Sequence, residues 1–383
     1  MQAPPPRARA VRAAGPPPAV TRAAYGTLPG GAPVTRWTLD SGTGVRAEVL
    51  DYGGILHRLD VPDAAGRPDT VVLGLDTLDD YLADTAYLGA LIGRYANRIA
   101  HGRFALDGHP HQVPVNDRGH ALHGGTEGFD RRRWRATPQL SPDAAALRLD
   151  LRSPHGDMGF PGTLDVTAVY TLDRHGTLRL ELTARARRAT PVSLTHHAYF
   201  NLAGPAGGPV LGHLLAVDAD AYLPVDTTAI PLGPAAATAG TPFDFRRPRP
   251  IGERIGADHP QLLAAGGYDH CYVLAPPPAG DPLRRAARLH DPRSGRRLEL
   301  WTTEPGLQVY TGNALDGSLR GPDGTRYLRH GAICLEAQQF PDAPNRPDYP
   351  DPVVRPGTER RSTTEFRFPH LRAAAPGPGA GSR

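Results

Sequence analysis

Two short segments combine residue types that could exchange protons with a substrate. The first, LTHHAYFNL over residues 194–202, gives two unlike faces if it is extended, because successive side chains of a strand point to opposite sides. One face is apolar except for His196. The other face is polar throughout and consists of Thr195, His197, Tyr199 and Asn201. This polar face suits either a pocket or a solvent-exposed strand surface.

The second segment, AICLEAQQF over residues 332–340, places a carboxylate in an unusual setting. In an extended chain Glu336 shares its face with Cys334 and Gln338, which is an uncommon composition for a plain solvent face. Partial burial would raise the pKa of Glu336 above its usual value of about 4.3, as a general base working near neutral pH requires. A hydrogen-bonded structural glutamate is the alternative interpretation.

Four further segments carry polar groups at the edges of predicted strands or in turns. Arginine offers a rigid fork of donors for hydroxyl oxygens, and glycines beside a histidine allow close approach of the backbone. Each residue can equally be structural, as a surface ion pair, a turn residue or part of a half-exposed strand. The candidates are Asn97 and Arg98 in GRYANRI, His123 in LHGG, Asp269 in GYDHC and Gln308 in PGLQVYTGN.

Short apolar or alternating runs separated by turn residues dominate the rest of the chain, and they predict many strands and few helices. Only residues 257–265 predict a short helix, closed by Gly266 and Gly267. We therefore predict an all-β fold, a large antiparallel β-sandwich with few short helices. The predicted strands are 46–50, 71–75, 146–151, 164–172, 177–183, 298–302, 307–311, 332–338 and 364–368.

Composition changes only at the two ends of the 383-residue chain. Residues 1–24 and 371–383 are rich in Pro, Ala, Gly and Arg without periodicity, which predicts disordered tails. No stretch between them resembles an interdomain linker. The sequence therefore predicts one domain over residues 25–370.

The charge pattern argues against a nucleic-acid partner. The net charge is +4, and all 43 basic residues are arginines scattered among carboxylates rather than arranged in a stripe with aromatics. No apolar run reaches the roughly 20 residues that cross a bilayer, and no leader-like apolar stretch follows the N-terminal arginines. With only Cys271 and Cys334 the chain cannot form a disulfide framework. We predict a cytoplasmic protein without nucleic-acid or membrane partners.

Sixteen histidines make a metal site worth testing. The sequence contains no HExxH and no paired Cys/His spacing, and His196 and His197 would point to opposite faces of a strand. It also contains no glycine-rich phosphate loop and no G-x-S-x-G elbow. We therefore expect neither a metal nor another cofactor.

Together these segments resemble the aldose 1-epimerase (galactose mutarotase) family. The resemblance covers most of the chain outside the tails, and seven motifs in order make it specific. It implies a large β-sandwich with an open sugar cleft and a small-molecule sugar as partner. The motifs are GRYANRIAHGRF, LHGG with GFDRRRW, LTHHAYFNLAG, PVDTTAIPLG with TPFDFR, GYDHCYVL, EPGLQVYTGN and CLEAQQFPDAPN.

The resemblance also implies roles for individual residues. Glu336 matches the general base and His197 the general acid of a cofactor-free anomer interconversion. Many relatives carry Asn at the position of His196, whereas this chain has two adjacent histidines, His196 and His197. Either could be the acid, and strand alternation favours His197. The residues that match sugar-binding positions are Asn97, Arg98, His123, Asp269 and Gln308, with Tyr199 lining the cleft beside the acid.

Two other functions are compatible with the sequence. An epimerase of a phosphorylated hexose would need a cationic cluster at the cleft rim. A non-catalytic sugar-binding or regulatory module could use the same fold, because a fold does not fix a function. The preferred sugar and the oligomeric state are not indicated by the sequence.

Overall fold

The computed structural model describes residues 16–369, and it consists mainly of antiparallel strands, numbered here along the chain. A five-stranded sheet forms the N-terminal part, and its strands follow one another in sequence order. The sheet contains β1 (Ala19–Thr27), β2 (Pro33–Asp40), β3 (Arg46–Leu50), β4 (Leu56–Pro62) and β5 (Pro68–Thr70).

A nine-stranded sheet is the largest element, and it combines strands from the middle and the C-terminal end of the chain. In the spatial order of this sheet, the last strand of the chain lies between a group of four consecutive strands and a group of four later strands. That order is β11 (Arg135–Leu140), β12 (Ala144–Ser153), β13 (Leu164–Asp173), β14 (Leu178–Ala186), β28 (Glu359–Arg367), β24 (Arg297–Thr302), β23 (Arg284–His290), β18 (Leu214–Val217) and β21 (Arg249–Pro250).

A six-stranded sheet completes the architecture and carries the site described below. Its spatial order is β17 (Tyr199–Phe200), β26 (Ile333–Gln338), β25 (Gly306–Tyr310), β22 (Asp269–Val273), β19 (Ala221–Tyr222) and β20 (Ala236–Ala237). Four two-stranded ladders flank the large sheets. They pair β6 (Leu91–Ile92) with β16 (Thr195–His196), β7 (Arg98–Ile99) with β10 (Ala121–Leu122), β8 (Arg103–Leu106) with β9 (His109–Gln112) and β15 (Thr190–Pro191) with β27 (Val353–Val354).

Helical structure between residues 16 and 369 is confined to short pieces. The α-helices are α1 (Leu78–Ala83) and α2 (Pro260–Ala265). Single 3₁₀ turns occur at Ala100–Gly102, Phe129–Arg131, Asp157–Gly159, Pro205–Gly207, Val210–Gly212, Ile251–Glu253 and Ala343–Asn345. None of these helices is long and apolar enough to span a membrane.

The main core lies between the large sheets. Strand β13 alternates buried and half-buried residues along its whole length, as expected of a strand with one face in the core. One continuous apolar cluster contains Leu39 from the five-stranded sheet, Tyr170 from the nine-stranded sheet and Leu335 from the six-stranded sheet. The all-β antiparallel sandwich predicted from the sequence is thus confirmed.

Three local predictions need correction. The tail predicted over residues 1–24 is wrong for residues 19–24, which pair with β2 through the backbone although most of their side chains are exposed. The strand predicted at 71–75 is reduced to a single bridge from Val72 to Phe200. The predicted helix 257–265 begins only at Pro260, whose fixed φ suits a first helical position.

The remaining parts of the predicted tails, residues 1–15 and 370–383, lie outside the described residues. The organisation of residues 25–370 as one domain stays a prediction.

Candidate functional site

The site lies on one face of the six-stranded sheet, where strand register aligns polar side chains in rows. Residues paired across antiparallel strands share a face, as do residues two apart on one strand. One row runs from Asp269 through Tyr310 and Cys334 to Tyr199. The opposite face carries Leu307, Val309 and Leu335 in the apolar core, which explains why the polar rows face away from it.

The next row brings the candidate base to the middle of this face. Glu336 pairs with Gln308, which in turn pairs with Cys271. His197 precedes β17 and approaches Glu336, with 3.7 Å between its Nε2 atom and carboxylate oxygen Oε1 of Glu336. Both side chains are buried, with 5% of His197 and 2% of Glu336 exposed, so both are largely removed from solvent.

A cleft of about 700 Å³ opens above these rows. All eight residues predicted from the sequence line it, although they come from segments more than 200 positions apart. The lining residues that the sequence predicted are Asn97, Arg98, His123, His197, Tyr199, Asp269, Gln308 and Glu336. The structure therefore brings the whole predicted set together, while the role of each residue stays a prediction.

The adjacent histidines occupy opposite environments. His196 lies in the core beside the rings of Tyr170 and Phe366, with centroids 5.9 Å from each. Neither of its ring nitrogens has a hydrogen-bond partner within residues 16–369, and burial lowers its pKa to about 3. His197 instead lines the cleft. The geometry therefore gives only His197 access to a substrate.

Strict alternation fails at both ends of the 194–202 segment. Thr195 donates its hydroxyl to the Ala337 carbonyl, at 2.7 Å, and the Asn201 amide donates to the carbonyls of Gly208 and Gly331. Neither residue is among those that line the cleft. The physical reason is that β16 ends at residue 196 and β17 begins at 199, so the segment is not one continuous strand.

Burial shifts the pKa values of the pair in opposite directions. The pKa of Glu336 is raised well above its usual value, first by loss of solvent and then by the Asp269 carboxylate, against a lowering effect of Arg98. Loss of solvent lowers the pKa of His197 to about 4. Both shifts disfavour an ion pair, so the single proton that the pair holds between the two pKa values favours Glu336, and the charged form with the proton on His197 is the less stable one.

A second histidine, His123, is fixed in one tautomer by the backbone. Its ring nitrogen Nδ1 accepts the backbone N–H of Asn97 at 3.1 Å, and the backbone N–H of His123 donates to the Asn97 carbonyl. Burial lowers its pKa well below 6.5, so the ring is neutral and must carry its proton on Nε2. His123 therefore offers the cleft a neutral hydrogen-bond donor that suits a sugar hydroxyl.

The same tautomer bears on metal binding. Ligand atoms of His123, His197 and Glu336 lie within 4.8 Å of one another, which is close enough to surround an ion. Coordination requires a free lone pair on an imidazole nitrogen. In His123 one nitrogen accepts a backbone N–H and the other carries the proton. This donor set fits hydrogen bonding to hydroxyl groups better than it fits a metal ion.

The other predicted residues form ordered polar pairs along the cleft. Arg98 donates from Nε and Nη2 to the Asp117 carboxylate at 2.9 and 2.8 Å. Gln308 donates from Nε2 to Asp269 at 2.7 Å. Such pairs hold each side chain in one orientation, so the remaining donors and acceptors are preorganised for a polar ligand.

Some cleft residues were missed by sequence reasoning. Tyr310 shares its strand face with Gln308, so the alternation of PGLQVYTGN could have identified it. Asp117 and Tyr87 lie in loops where no periodicity applies; Tyr87 adopts a φ of 60° and sets its ring 4.6 Å from that of His123. Asp117 and Tyr87 reach the cleft only through contacts that form when the chain folds, so the sequence alone does not identify them.

Comparisons with known proteins find relatives of one family over most of the chain. A family model described as aldose 1-epimerase matches residues 35–367. The chain is 43% identical to galactose mutarotase of Homo sapiens over 350 residues, covering 91% of this chain and 98% of the relative. It is 37% identical to aldose 1-epimerase of Escherichia coli over 343 residues, covering 89% and 96%.

Solved structures give the same result at the level of the fold. A crystal structure of galactose 1-epimerase from Lactobacillus acidophilus superposes with a TM-score of 0.80 at 28% identity, covering 92% of this chain and 98% of that one. A GalM/aldose epimerase homologue from C. elegans gives a TM-score of 0.76 at 29% identity, covering 86% and 97%.

Proposed function

The chain belongs to the aldose 1-epimerase family, and we propose that its Glu336–His197 pair opens and closes the ring of a free aldohexose such as glucose or galactose. The protein is thus an isomerase that interconverts α and β anomers of a sugar. The observation that carries the assignment of the pair is the 3.7 Å approach of Nε2 of His197 to Glu336 on the polar face of the sheet within the cleft.

The reaction needs two proton transfers. Glu336 takes the proton of the anomeric hydroxyl while Nε2 of His197 gives a proton to the ring oxygen, and the ring carbon–oxygen bond breaks to leave an aldehyde. Rotation about the first carbon–carbon bond presents the other carbonyl face. The protons then return, from Glu336 to the new anomeric oxygen and from the ring-derived hydroxyl to His197.

The pKa shifts favour these transfers from the charged form of the pair, in which His197 carries the proton and Glu336 is ionised. A carboxylate with a raised pKa is a stronger base, and an imidazolium with a lowered pKa is a stronger acid. Ring opening converts the charged pair into a neutral acid and a neutral imidazole, which is the form that a buried site stabilises. A positioned acid or base of this kind contributes typically ~10²–10⁴-fold to the rate.

The remaining cleft residues orient the sugar. Arg98 and the Nε2–H of His123 are donors for hydroxyl oxygens, whereas Asp269 accepts a hydroxyl proton. Asn97 holds the His123 tautomer, and Gln308 holds Asp269. Tyr199 stacks on the His197 ring with centroids 5.1 Å apart, which limits its rotation. Orientation of this kind makes the proton transfers productive.

Polarimetry on freshly dissolved α-glucose and α-galactose tests the proposal. We expect wild-type protein to accelerate the approach to the equilibrium rotation, and Glu336→Gln to lose ~10²-fold or more of kcat. Glu304→Gln is the matched control, because Glu304 is another buried glutamate with a raised pKa but is bonded to Gln339 rather than lining the cleft. Full activity in Glu336→Gln would contradict the base assignment.

The cleft offers little support for a phosphorylated hexose. Among the described residues that line it, the cations are Arg98, which is paired with Asp117, and Arg118. The carboxylates that line it are Asp117, Asp269, Asp316 and Glu336. Competition between glucose and glucose 6-phosphate in the polarimetric assay separates the two substrates, and we expect the free sugar to be the better one.

The alternative of a non-catalytic sugar-binding module predicts binding of sugar without any change in the rate at which the optical rotation reaches equilibrium, so the same assay distinguishes it. The cytoplasm stays the proposed location, because Cys271 and Cys334 are both free thiols and the cytosol keeps thiols reduced.

A further inference from the structure

The His197 ring is held between two side chains of one strand. Its Nε2 faces Glu336, while its Nδ1 lies 3.6 Å from Sγ of Cys334, within the range of a sulfur hydrogen bond. Cys334 and Glu336 are two residues apart on β26 and therefore share a face. Cys334 is fully buried and is not among the residues that line the cleft. The Cys334 sulfur thus contacts the His197 ring at the nitrogen that does not face Glu336.

The neighbouring His123 has a different group at its Nδ1, and this group determines which ring nitrogen carries the proton. A backbone N–H occupies its Nδ1, so its proton stays on Nε2 and the ring is a fixed donor. A ring in that state cannot take a proton back at Nε2. For Nε2 of His197 to lose and regain a proton in each turnover, its Nδ1 must keep a proton and needs an acceptor. The Cys334 sulfur is the side-chain group that lies at that nitrogen.

We infer that Cys334 is a positioning residue, whose sulfur accepts the Nδ1–H of His197 and thereby makes Nε2 the nitrogen that exchanges protons with the sugar. This inference rests on the catalytic role proposed for His197. Sulfur is a weak acceptor, so it fixes the ring without stabilising the imidazolium as a carboxylate would. His197 consequently keeps the acidity that ring opening requires.

The state of the thiol is consistent with this role. Burial, and then the carboxylates of Glu336 and Asp269, raise the pKa of Cys334 well above its usual value. The sulfur therefore remains an uncharged thiol beside the ring. A thiolate at this position would hold the proton of His197 and weaken the acid.

Kinetics of Cys334→Ala and Cys334→Ser give the first test. Loss of one weak hydrogen bond predicts a kcat about five- to tenfold lower for Cys334→Ala, with an unchanged KM because the residue does not line the cleft. Cys334→Ser is expected to recover most of the activity, since a hydroxyl oxygen also accepts from Nδ1–H. A Cys334→Ser variant as impaired as Cys334→Ala would overturn the inference.

Cys271→Ala is the matched control. Cys271 is an equally buried thiol on the same face of the sheet, but its sulfur contacts the Tyr272 carbonyl at 3.8 Å rather than His197. We expect its kcat and KM to equal those of wild type once folding is verified by thermal melting. Equal kcat values for Cys334→Ala and Cys271→Ala would show that the sulfur beside His197 has no special role.

Histidine-selective ¹⁵N spectra give a readout that general destabilisation does not change. We expect neutral His197 to carry its proton on Nδ1 in wild type and to shift toward the Nε2 tautomer in Cys334→Ala, with His197→Asn assigning the signal. An unchanged tautomer in an active protein overturns the role of Cys334 alone. A wild-type chain that does not accelerate mutarotation overturns the proposed function and this inference together.

Discussion

At the scale of single residues, one peptide bond separates two imidazoles with very different surroundings. His196 is enclosed by aromatic rings of the core, whereas His197 meets Glu336 and the cleft. The sequence alone made both candidates for the acid. Alternation pointed to His197, and the folded chain supplies the reason, because His197 lines the cleft and His196 does not.

Substitution of each histidine by asparagine tests this difference. We expect His197→Asn to lose ~10²-fold or more of kcat, because it removes a positioned acid. His196→Asn is expected to keep kcat close to that of wild type and to change mainly the stability of the core. Polarimetry of the two variants gives the comparison. A greater loss of kcat in His196→Asn than in His197→Asn would exchange their roles.

The pKa shifts predict the pH dependence of kcat/KM. The pair holds a single proton between the lowered pKa of His197, about 4, and the raised pKa of Glu336. Activity should therefore fall below about pH 4, where both groups are protonated, and again where the pH exceeds the raised pKa of Glu336 and the proton is lost. Polarimetry across this range measures both limbs. An acid limb near 6.5 would indicate an unperturbed histidine.

At the scale of elements, the six-stranded sheet explains how distant motifs converge. Register places Asp269, Gln308 and Glu336 on one face, and this placement could be anticipated from the alternation of each strand. Which strands are neighbours could not, because β17, β26, β25 and β22 come from three distant parts of the chain. The break between β16 and β17, which turns Thr195 and Asn201 away from the cleft, has no signal in the local pattern.

The turn that carries His123 depends on Gly124. Gly124 has a φ of +91°, and a Cβ there would lie 2.2 Å from the Gly93 carbonyl oxygen. Gly119→Ala is the control, since Gly119 has a similar φ of +85° with nothing within 4 Å of an added Cβ. The control should lose ~1–2 kcal/mol of unfolding free energy from the left-handed backbone alone.

Gly124→Ala should lose a further ~1–3 kcal/mol from the clash and should raise KM, because the turn displaces the His123 donor. Urea unfolding and sugar-dependent kinetics measure the two effects. Equal stability and equal KM in the two variants would mean that the turn does not position His123.

At the scale of the whole molecule, the core tolerates several neutral histidines. The fold class could be predicted from short alternating runs of the sequence. The burial of these histidines could not, because a histidine in the sequence is as polar as a surface residue. Burial lowers the pKa of His57 and His213 to about 4 and that of His196 and His270 to about 3. Each of these rings is therefore uncharged in the folded chain near neutral pH.

This burial predicts acid sensitivity that can be assigned to one residue. Because its folded pKa lies below the unfolded value of 6.5, His196 contributes stability that is present above pH 6.5 and is lost as pH falls toward 3. Buried carboxyls such as Asp130, with a pKa raised to about 6, make the folded chain more stable as the pH falls, which opposes the effect of His196. The contribution of His196 is therefore the difference in unfolding free energy between wild type and His196→Asn.

Between pH 6.5 and 5, the unfolding free energy of His196→Asn should fall less steeply than that of wild type, by up to ~1.4 kcal/mol per pH unit. Urea unfolding at several pH values provides this slope. Identical slopes in the two proteins would show that His196 titrates normally in the folded state.

In the proposed mechanism, Glu336 and His197 act as one unit in opening the sugar ring. The most direct test is polarimetric measurement of kcat for wild type, Glu336→Gln, His197→Asn and the double variant on freshly dissolved α-galactose. Residues that act as a unit are strongly non-additive, so we expect the double variant to be no slower than the slower single variant. Losses that multiply in the double variant, or a single variant with wild-type activity, would contradict the account.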